Sequence, residues 1–320
     1  MKVSPELSPK KIAVIAPNKP FFGALIVTIP FFRALRELFP EAELDIFSPR
    51  KEFAMIQELG LADKIIEYDI KGGSSGFFTT LSLLREGSYH ALIVMRRESM
   101  RDRLLGFFSG IPLRLGFMKK RCPFIFHESI PYDKYIYRGE NYLNLIWLLG
   151  ENAPLRFFRP YGESTKKRDS IWLLPCGSDE EKLWPPENYA KLARLIRNRL
   201  DLRVKFILGP GEKSSFFEEE FKGDEKVEFL KNLPLKELLL EASSSAASVG
   251  NDCGPGHIAQ TMGVKSIVLF AAEKNVDEWV NIAGGSKSIV SSGPIEMIDL
   301  EEVFTDLEEI LKRPGSDRKI

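Results

Sequence analysis

Short apolar runs alternate with amphipathic stretches of helical length along all 320 residues, the pattern of parallel strands joined by crossover helices. In the first half, Lys11–Ala16, Glu43–Phe47, Lys64–Tyr68, Ala91–Met95 and Arg114–Phe117 predict strands with helices between them. The first crossover is the clearest. Phe31, Leu35 and Leu38 keep helical spacing, Arg33, Arg36 and Glu37 fall on other faces, and Pro40 marks the end. The second half predicts strands Ser170–Leu174, Val204–Leu208, Lys226–Phe229, Ala246–Val249 and Ser266–Phe270. Its helices are Glu187–Arg199, Ser214–Phe221, Leu235–Ala242, Pro255–Met262 and Leu300–Leu311. Pro154, Pro160 and Gly162 with the basic run Lys166, Lys167 and Arg168 predict a linker. The simplest architecture is two doubly wound, Rossmann-like α/β domains, residues 1–160 and 161–320, facing each other across a cleft, with the last helix expected to pack back on the first domain.

Composition narrows the function. Lys plus Arg and Asp plus Glu are each 45, a formal net charge of zero, which excludes a globally basic nucleic-acid binder and an acidic disordered chain. The neutrality is a cancellation: up to Thr165 there are 23 basic and 18 acidic residues, net +5, against 22 and 27 after it, net −5. Positions 96–121 hold eight basic and two acidic residues, either a solvated face or a surface for an anionic partner. No apolar run approaches the ~18 residues of a membrane span, and the start lacks a signal-peptide core, so a cytoplasmic protein is expected. Cys122, Cys176 and Cys253 lie far apart and form no metal-ligand spacing, so neither a disulfide framework nor a zinc site is expected. Six Phe-Phe pairs begin at Phe21, Phe31, Phe77, Phe107, Phe157 and Phe216. Core packing is their commoner role, and any that are exposed suit contact with lipid.

Three loops after strands of the second half are placed for ligand chemistry, because strand carboxyl ends and helix N-termini bind anions in such folds. In Gly250-Asn251-Asp252-Cys253-Gly254-Pro255-Gly256-His257, the glycines Gly254 and Gly256 let the backbone approach a ligand, Asp252 suits sugar hydroxyls, and His257 enters the first helical turn. Read alone, the segment is equally a tight turn with Asp252 as cap. In the loop from Pro175 to Pro186, Gly177, Ser178 and Lys182 suit a phosphate, or form a solvated charged loop. The third, Leu208-Gly209-Pro210-Gly211-Glu212-Lys213, offers Gly211 and Glu212 to a base or ribose, or is an ordinary turn. Gly254-Pro255-Gly256-His257-Ile258-Ala259 fits the dinucleotide pattern only weakly, lying late in the chain with Pro255 removing an N–H. The chain has no P-loop, nucleophile elbow, HExxH or Asp-x-Asp motif. Metal-free handling of a diphosphate, with no cofactor, is the economical expectation.

Asn251 to Ala259 with Met262-Gly263-Val264 and Ile267 to Phe270, Lys182-Leu183-Trp184-Pro185 with Tyr189-Ala190, Thr28-Ile29-Pro30 with Arg33 to Arg36 and Phe39 to Ala42, Ser109 to Phe117, and Glu140 to Leu143 form one ordered series. It resembles, over nearly the whole chain, family 9 glycosyltransferases, the ADP-heptose:lipopolysaccharide heptosyltransferases. The resemblance implies a GT-B fold and inverting, metal-independent transfer from a nucleotide-diphosphate sugar such as ADP-heptose to a lipopolysaccharide-core or other glycolipid acceptor. It places the donor in the second domain, with Ser178 and Lys182 on the diphosphate, Asp252 on the sugar, Cys253 and Gly254 backbone on the phosphate, and His257 beside them. The acceptor falls to the first domain, around Gly23, Ala24, Arg96 and Arg97, at the cytoplasmic face of the inner membrane.

Two departures stand out. Cys253 replaces the family's Ser or Thr, losing a hydroxyl donor and keeping the backbone N–H. Where the family carries the Asp proposed as general base, this chain reads Phe21-Phe22-Gly23-Ala24-Leu25-Ile26, and the methyl group of Ala24 accepts no proton. The alternative function is therefore a catalytically impaired relative that binds nucleotide sugar or glycolipid as a scaffold.

Overall fold

A computed structural model describes residues 9–19, 21–69, 72–97, 99–120, 122–150, 158, 168–177, 179–209, 214–271 and 276–312. The chain divides into two compact units, Met1–Asp133 with Gly139–Phe157, and Lys134–Arg138 with Phe158–Ile320. The expected linker falls almost wholly outside the described residues. The short return of Lys134–Arg138 to the second unit has no signal in the apolar pattern.

The first unit runs β1 (Lys11–Ile15), α1 (Phe22–Ile26), α2 (Ile29–Leu38), β2 (Glu43–Ser48), α3 (Ala54–Glu58), β3 (Lys64–Glu67), α4 (Gly73–Glu86), β4 (Ala91–Val94), α5 (Met100–Ser109), β5 (Leu113–Phe117), β6 (Glu128–Ile130) and α6 (Arg138–Asn144). Its strands lie in the order β3-β2-β1-β4-β5-β6, and every pairing is parallel. A parallel sheet is covered on both faces, so its central strands are apolar throughout. Ile12–Ile15 and Ala91–Val94 are accordingly buried. Helix α2 starts with Pro30 in its first turn, where a missing N–H costs nothing, and buries Phe31, Phe32 and Leu35.

The second unit runs β7 (Ser170–Leu174), α7 (Pro186–Leu195), β8 (Arg203–Leu208), α8 (Ser215–Glu220), β9 (Val227–Lys231), α9 (Leu235–Ser243), β10 (Ser245–Asn251), α10 (Gly254–Thr261), β11 (Lys265–Phe270), β12 (Lys287–Val290) and α11 (Leu300–Lys312). Its order, β12-β11-β10-β7-β8-β9, is the same doubly wound topology, again all parallel. The last helix departs from expectation. Val303, Phe304, Leu307 and Ile310 of α11 belong to the core of this second unit, beside Ile171, Val249 and Ile267, because its one apolar stripe is satisfied there.

Candidate functional site

In a doubly wound sheet the connections from the two central strands leave in opposite directions, opening a crevice at their carboxyl ends. In the second unit those strands are β7 and β10. Gly250 lies opposite Leu174, and a Cβ at Gly250 would come within 2.3 Å of the Leu174 Cβ, so only glycine allows the two strand ends to run this close. The next residue, Asn251, is a clamp. Its side-chain oxygen accepts the Trp184 backbone N–H at 3.0 Å and its Nδ2 donates to the Cys176 carbonyl at 3.3 Å. Trp184 is fixed further by Nε1 donating to the Ile298 carbonyl at 3.2 Å and by edge contact with Tyr189, whose hydroxyl donates to the Leu174 carbonyl. Burial holds the Tyr189 hydroxyl well above the ordinary tyrosine pKa, so it remains a donor. The loop bearing Gly177 and Lys182 is thereby pinned near both ends, and both residues are exposed. Asp179 accepts the Glu181 N–H and caps the short turn Glu180–Lys182.

Helix α10 begins at the same crevice. Cys253 is its N-cap residue with extended backbone, and Pro255 occupies the first turn. Because Pro255 lacks an N–H and the His257 N–H is already bonded to the Cys253 carbonyl, the groups left to face a ligand are those of Gly254 and Gly256, at the positive end of the helix dipole. Asp252 Oδ1 is 3.2 Å from His257 Nε2, and the imidazole, only 5% exposed, leans on Trp279 at 5.4 Å. Trp279 and its neighbours are held in turn: Gln260 bonds the Trp279 carbonyl and the Asn281 N–H, and the Arg138 guanidinium lies 4.1 Å above the Trp279 ring. Arg138 pairs with buried Glu278 at 2.8 Å. Beside this cluster Tyr137 is raised above the ordinary tyrosine pKa, first by burial and then by the charge of Asp252.

The structure thus gathers Asp252, Cys253, Gly254, Gly256 and His257 at one helix start, and hangs Gly177 and Lys182 on a loop clamped to the same β10 terminus. Ser178, Gly211 and Glu212 lie outside the described residues. Sequence reasoning missed Asn251 as a clamp, and Arg138, Glu278 and Trp279 as the support behind His257. It also treated the cysteines as unrelated, whereas Cys176 and Cys253 are 3.4 Å apart at Sγ. Both sulphurs follow adjacent central strands, and this adjacency was the available signal. Among the described residues no group of three His, Cys, Asp or Glu side chains is placed to hold a metal ion.

The corresponding crevice of the first unit lies at the ends of β1 and β4. Gly23 and Ala24, expected on the acceptor side, are buried in α1, Ala24 being 2% exposed, while Phe21 and Phe22 before them are exposed. Leu25 and Ile26, which follow them in the same short helix, are buried as well. Arg96 is engaged inside the unit: Nη1 lies 3.0 Å from the buried Asp102 carboxylate and donates to the Tyr68 hydroxyl at 3.0 Å. Tyr68 in turn donates to Asp102, and burial followed by the Asp102 charge holds its pKa above the tyrosine range. The Arg97 guanidinium covers the Tyr132 ring at 4.8 Å.

Residues 151–294, which span this crevice of the second unit, match the family described as glycosyltransferase family 9 (heptosyltransferase). This stretch of the chain resembles glycosyltransferase family 9. It is 22% identical over 291 residues to the lipopolysaccharide core heptosyltransferase OpsX of Haemophilus influenzae, covering 82% of this chain and 80% of that one. It is 30% identical over 162 residues to lipopolysaccharide heptosyltransferase 1 of Campylobacter coli, 46% of each chain. The solved structure of E. coli heptosyltransferase WaaC with ADP superposes over 94% of this chain and 99% of that one with a TM-score of 0.68 at 15% identity. The fold is therefore GT-B, and the family match with the curated relatives supports a glycosyltransferase.

Proposed function

We propose that this protein transfers a heptose from a nucleotide-diphosphate donor to a lipopolysaccharide-core or related glycolipid acceptor, with inversion and without a metal or cofactor. The observation that carries the reading is the start of α10, where the N–H groups of Gly254 and Gly256 stand next to Asp252 and its partner His257. As the acceptor hydroxyl attacks the anomeric carbon, negative charge grows on the leaving diphosphate. The helix terminus and the exposed Lys182 supply the compensating positive potential. Asp252, half-exposed and oriented by His257, accepts hydrogen bonds from the sugar hydroxyls. The ADP-bound neighbour supports an adenine nucleotide as donor carrier.

The same reading takes the acceptor to a lipid surface on the cytoplasmic side. No described helix is long and apolar enough to cross a membrane. However, Met100, Leu104, Phe107 and Phe108 form one exposed apolar stripe along α5, and Arg97, Arg101 and Arg103 lie at or next to that helix. An interfacial helix with basic flanks binds anionic bilayers.

A second reading is favoured by position 24: a family member that binds the donor without efficient turnover, since Ala24 is a buried methyl group where the family's base would stand. One assay separates the two. With ADP-heptose and a heptose-free lipopolysaccharide core, the transfer reading expects acceptor-dependent release of ADP, and the binding reading expects ADP affinity with no release. Failure of every nucleotide sugar to raise the melting temperature at millimolar concentration sinks both. Cosedimentation with phosphatidylglycerol vesicles, lost in a Phe107→Glu, Phe108→Glu double variant, tests the lipid surface.

A further inference from the structure

We infer that Cys176 and Cys253 form a reversible dithiol–disulfide site that sets the affinity of the donor crevice. The inference rests on the donor reading above for its effect on affinity and on geometry alone for the bond. The two sulphurs are 3.4 Å apart although 77 residues separate them. They are carried by the loops that leave adjacent parallel strands β7 and β10, each two residues past its strand's end. An S–S bond is about 2.0 Å long, so closure requires an approach of roughly 1.4 Å, within reach of side-chain rotation and a small loop shift.

The two cysteines differ in access. Cys176 is 3% exposed, and its backbone is held by the Asn251 side chain. Cys253 is half-buried at the mouth. The chemistry therefore has an order. A low-molecular-weight disulfide, RSSR, is attacked by the Cys253 thiolate; one RS⁻ leaves and takes a proton, and a mixed disulfide remains. The Cys176 thiolate then attacks the Cys253 sulphur and displaces the second RS⁻. Two protein thiols lose two electrons and two protons in total, and RSSR becomes two RSH.

The fixed partner is Cys176, so the residue that shifts on closure is Cys253. Cys253 is also the N-cap of α10. Bond formation draws the cap residue toward β7 and turns the Gly254 and Gly256 N–H groups away from the position in which they meet a diphosphate. The oxidised form is the weak-binding form. In a reducing compartment such a pair acts as a transient sensor rather than a structural staple.

The test uses the full chain, reduced or equilibrated with oxidised glutathione, with remaining thiols alkylated before peptide mass mapping and ADP binding followed by calorimetry. The expected result is a Cys176–Cys253 cross-linked peptide with Cys122 alkylated, an ADP dissociation constant raised at least ten-fold, and full reversal by dithiothreitol. Cys176→Ser should hold its affinity constant across the same treatment. Separate alkylated Cys176 and Cys253 peptides after oxidation overturn the bond. A mapped disulfide with unchanged ADP affinity overturns the control of binding, as does an equal loss of affinity in oxidised Cys176→Ser. Failure of the reduced protein to bind ADP brings down the donor reading and the affinity effect with it, while the peptide map still decides the bond.

Discussion

The side chain of Asn251 binds the Trp184 N–H and the Cys176 carbonyl at once, so a single amide at the end of β10 sets both ends of the loop that follows β7. The amide needs both its donor and its acceptor for this, which no carboxylate or aliphatic side chain provides. Asn251→Ala leaves a buried N–H and a buried carbonyl unsatisfied, a cost of about 1–3 kcal/mol for each such group. Thermal unfolding should show a melting temperature lower by several degrees, and ADP affinity should fall with it. A variant as stable as the parent would remove the clamp.

Lys182 is exposed, and the donor reading puts it on the diphosphate. Lys182→Ala should weaken ADP about ten-fold, the worth of one charge-assisted contact to a phosphate, with a smaller change in melting temperature than Asn251→Ala. Calorimetry in parallel with a melting scan distinguishes this from general damage.

Position 24 is a core position. Introducing the family's carboxylate there, Ala24→Asp, buries a charge without a partner and should cost about 3 kcal/mol or more. Lower stability and no gain in sugar transfer are expected. A stable variant with new transferase activity would show that the side chain reaches the acceptor.

Arg138 and Glu278 are both buried and lie 2.8 Å apart. Removing one partner strands the other, so Arg138→Met should lose about 3–5 kcal/mol, while Arg138→Met with Glu278→Leu should recover most of it. Equal losses in the single and double variants, measured by denaturant unfolding, would contradict the pairing.

Four tyrosines carry the alkaline limit. Burial, above all, raises Tyr68, Tyr89, Tyr137 and Tyr189; the nearby carboxylates Asp102, Asp45 and Asp252 add to the first three, and the thiols Cys253 and Cys176 to the last. A folded-state pKa above the unfolded value of about 10 contributes stability that is complete below that value and is lost as pH rises toward the folded one. Phenolate absorbance from these four of the eight tyrosines should therefore appear together with loss of helical circular dichroism. Titration of all eight near pH 10 with the fold intact would refute this.

The fold was largely legible because its driving signal is local: parallel strands buried on both faces must be apolar runs, and Ser170–Leu174 and Leu235–Ser243 stand almost where the pattern placed them. What escaped were elements whose neighbours define them. The edge strand β6 has only three residues. The α10 motif was readable as a candidate site because a strand, two glycines and a helix start are contiguous. The Asn251 clamp, the Cys176–Cys253 contact and the Arg138–Glu278 pair span 67, 77 and 140 residues, and no periodicity registers such distances.

The passage of Lys134–Arg138 into the second unit bears on dissection of the molecule. The halves are not autonomous modules joined by one tether. A fragment beginning at Phe158 would lack Tyr137, whose ring packs on Phe158 at 5.7 Å, and Arg138, which neutralises Glu278. Exchange of domains between related proteins at the obvious linker would thus sever a graft that the first half of the chain supplies to the second, and successful chimaeras should be those that carry residues 134–138 along with the second half.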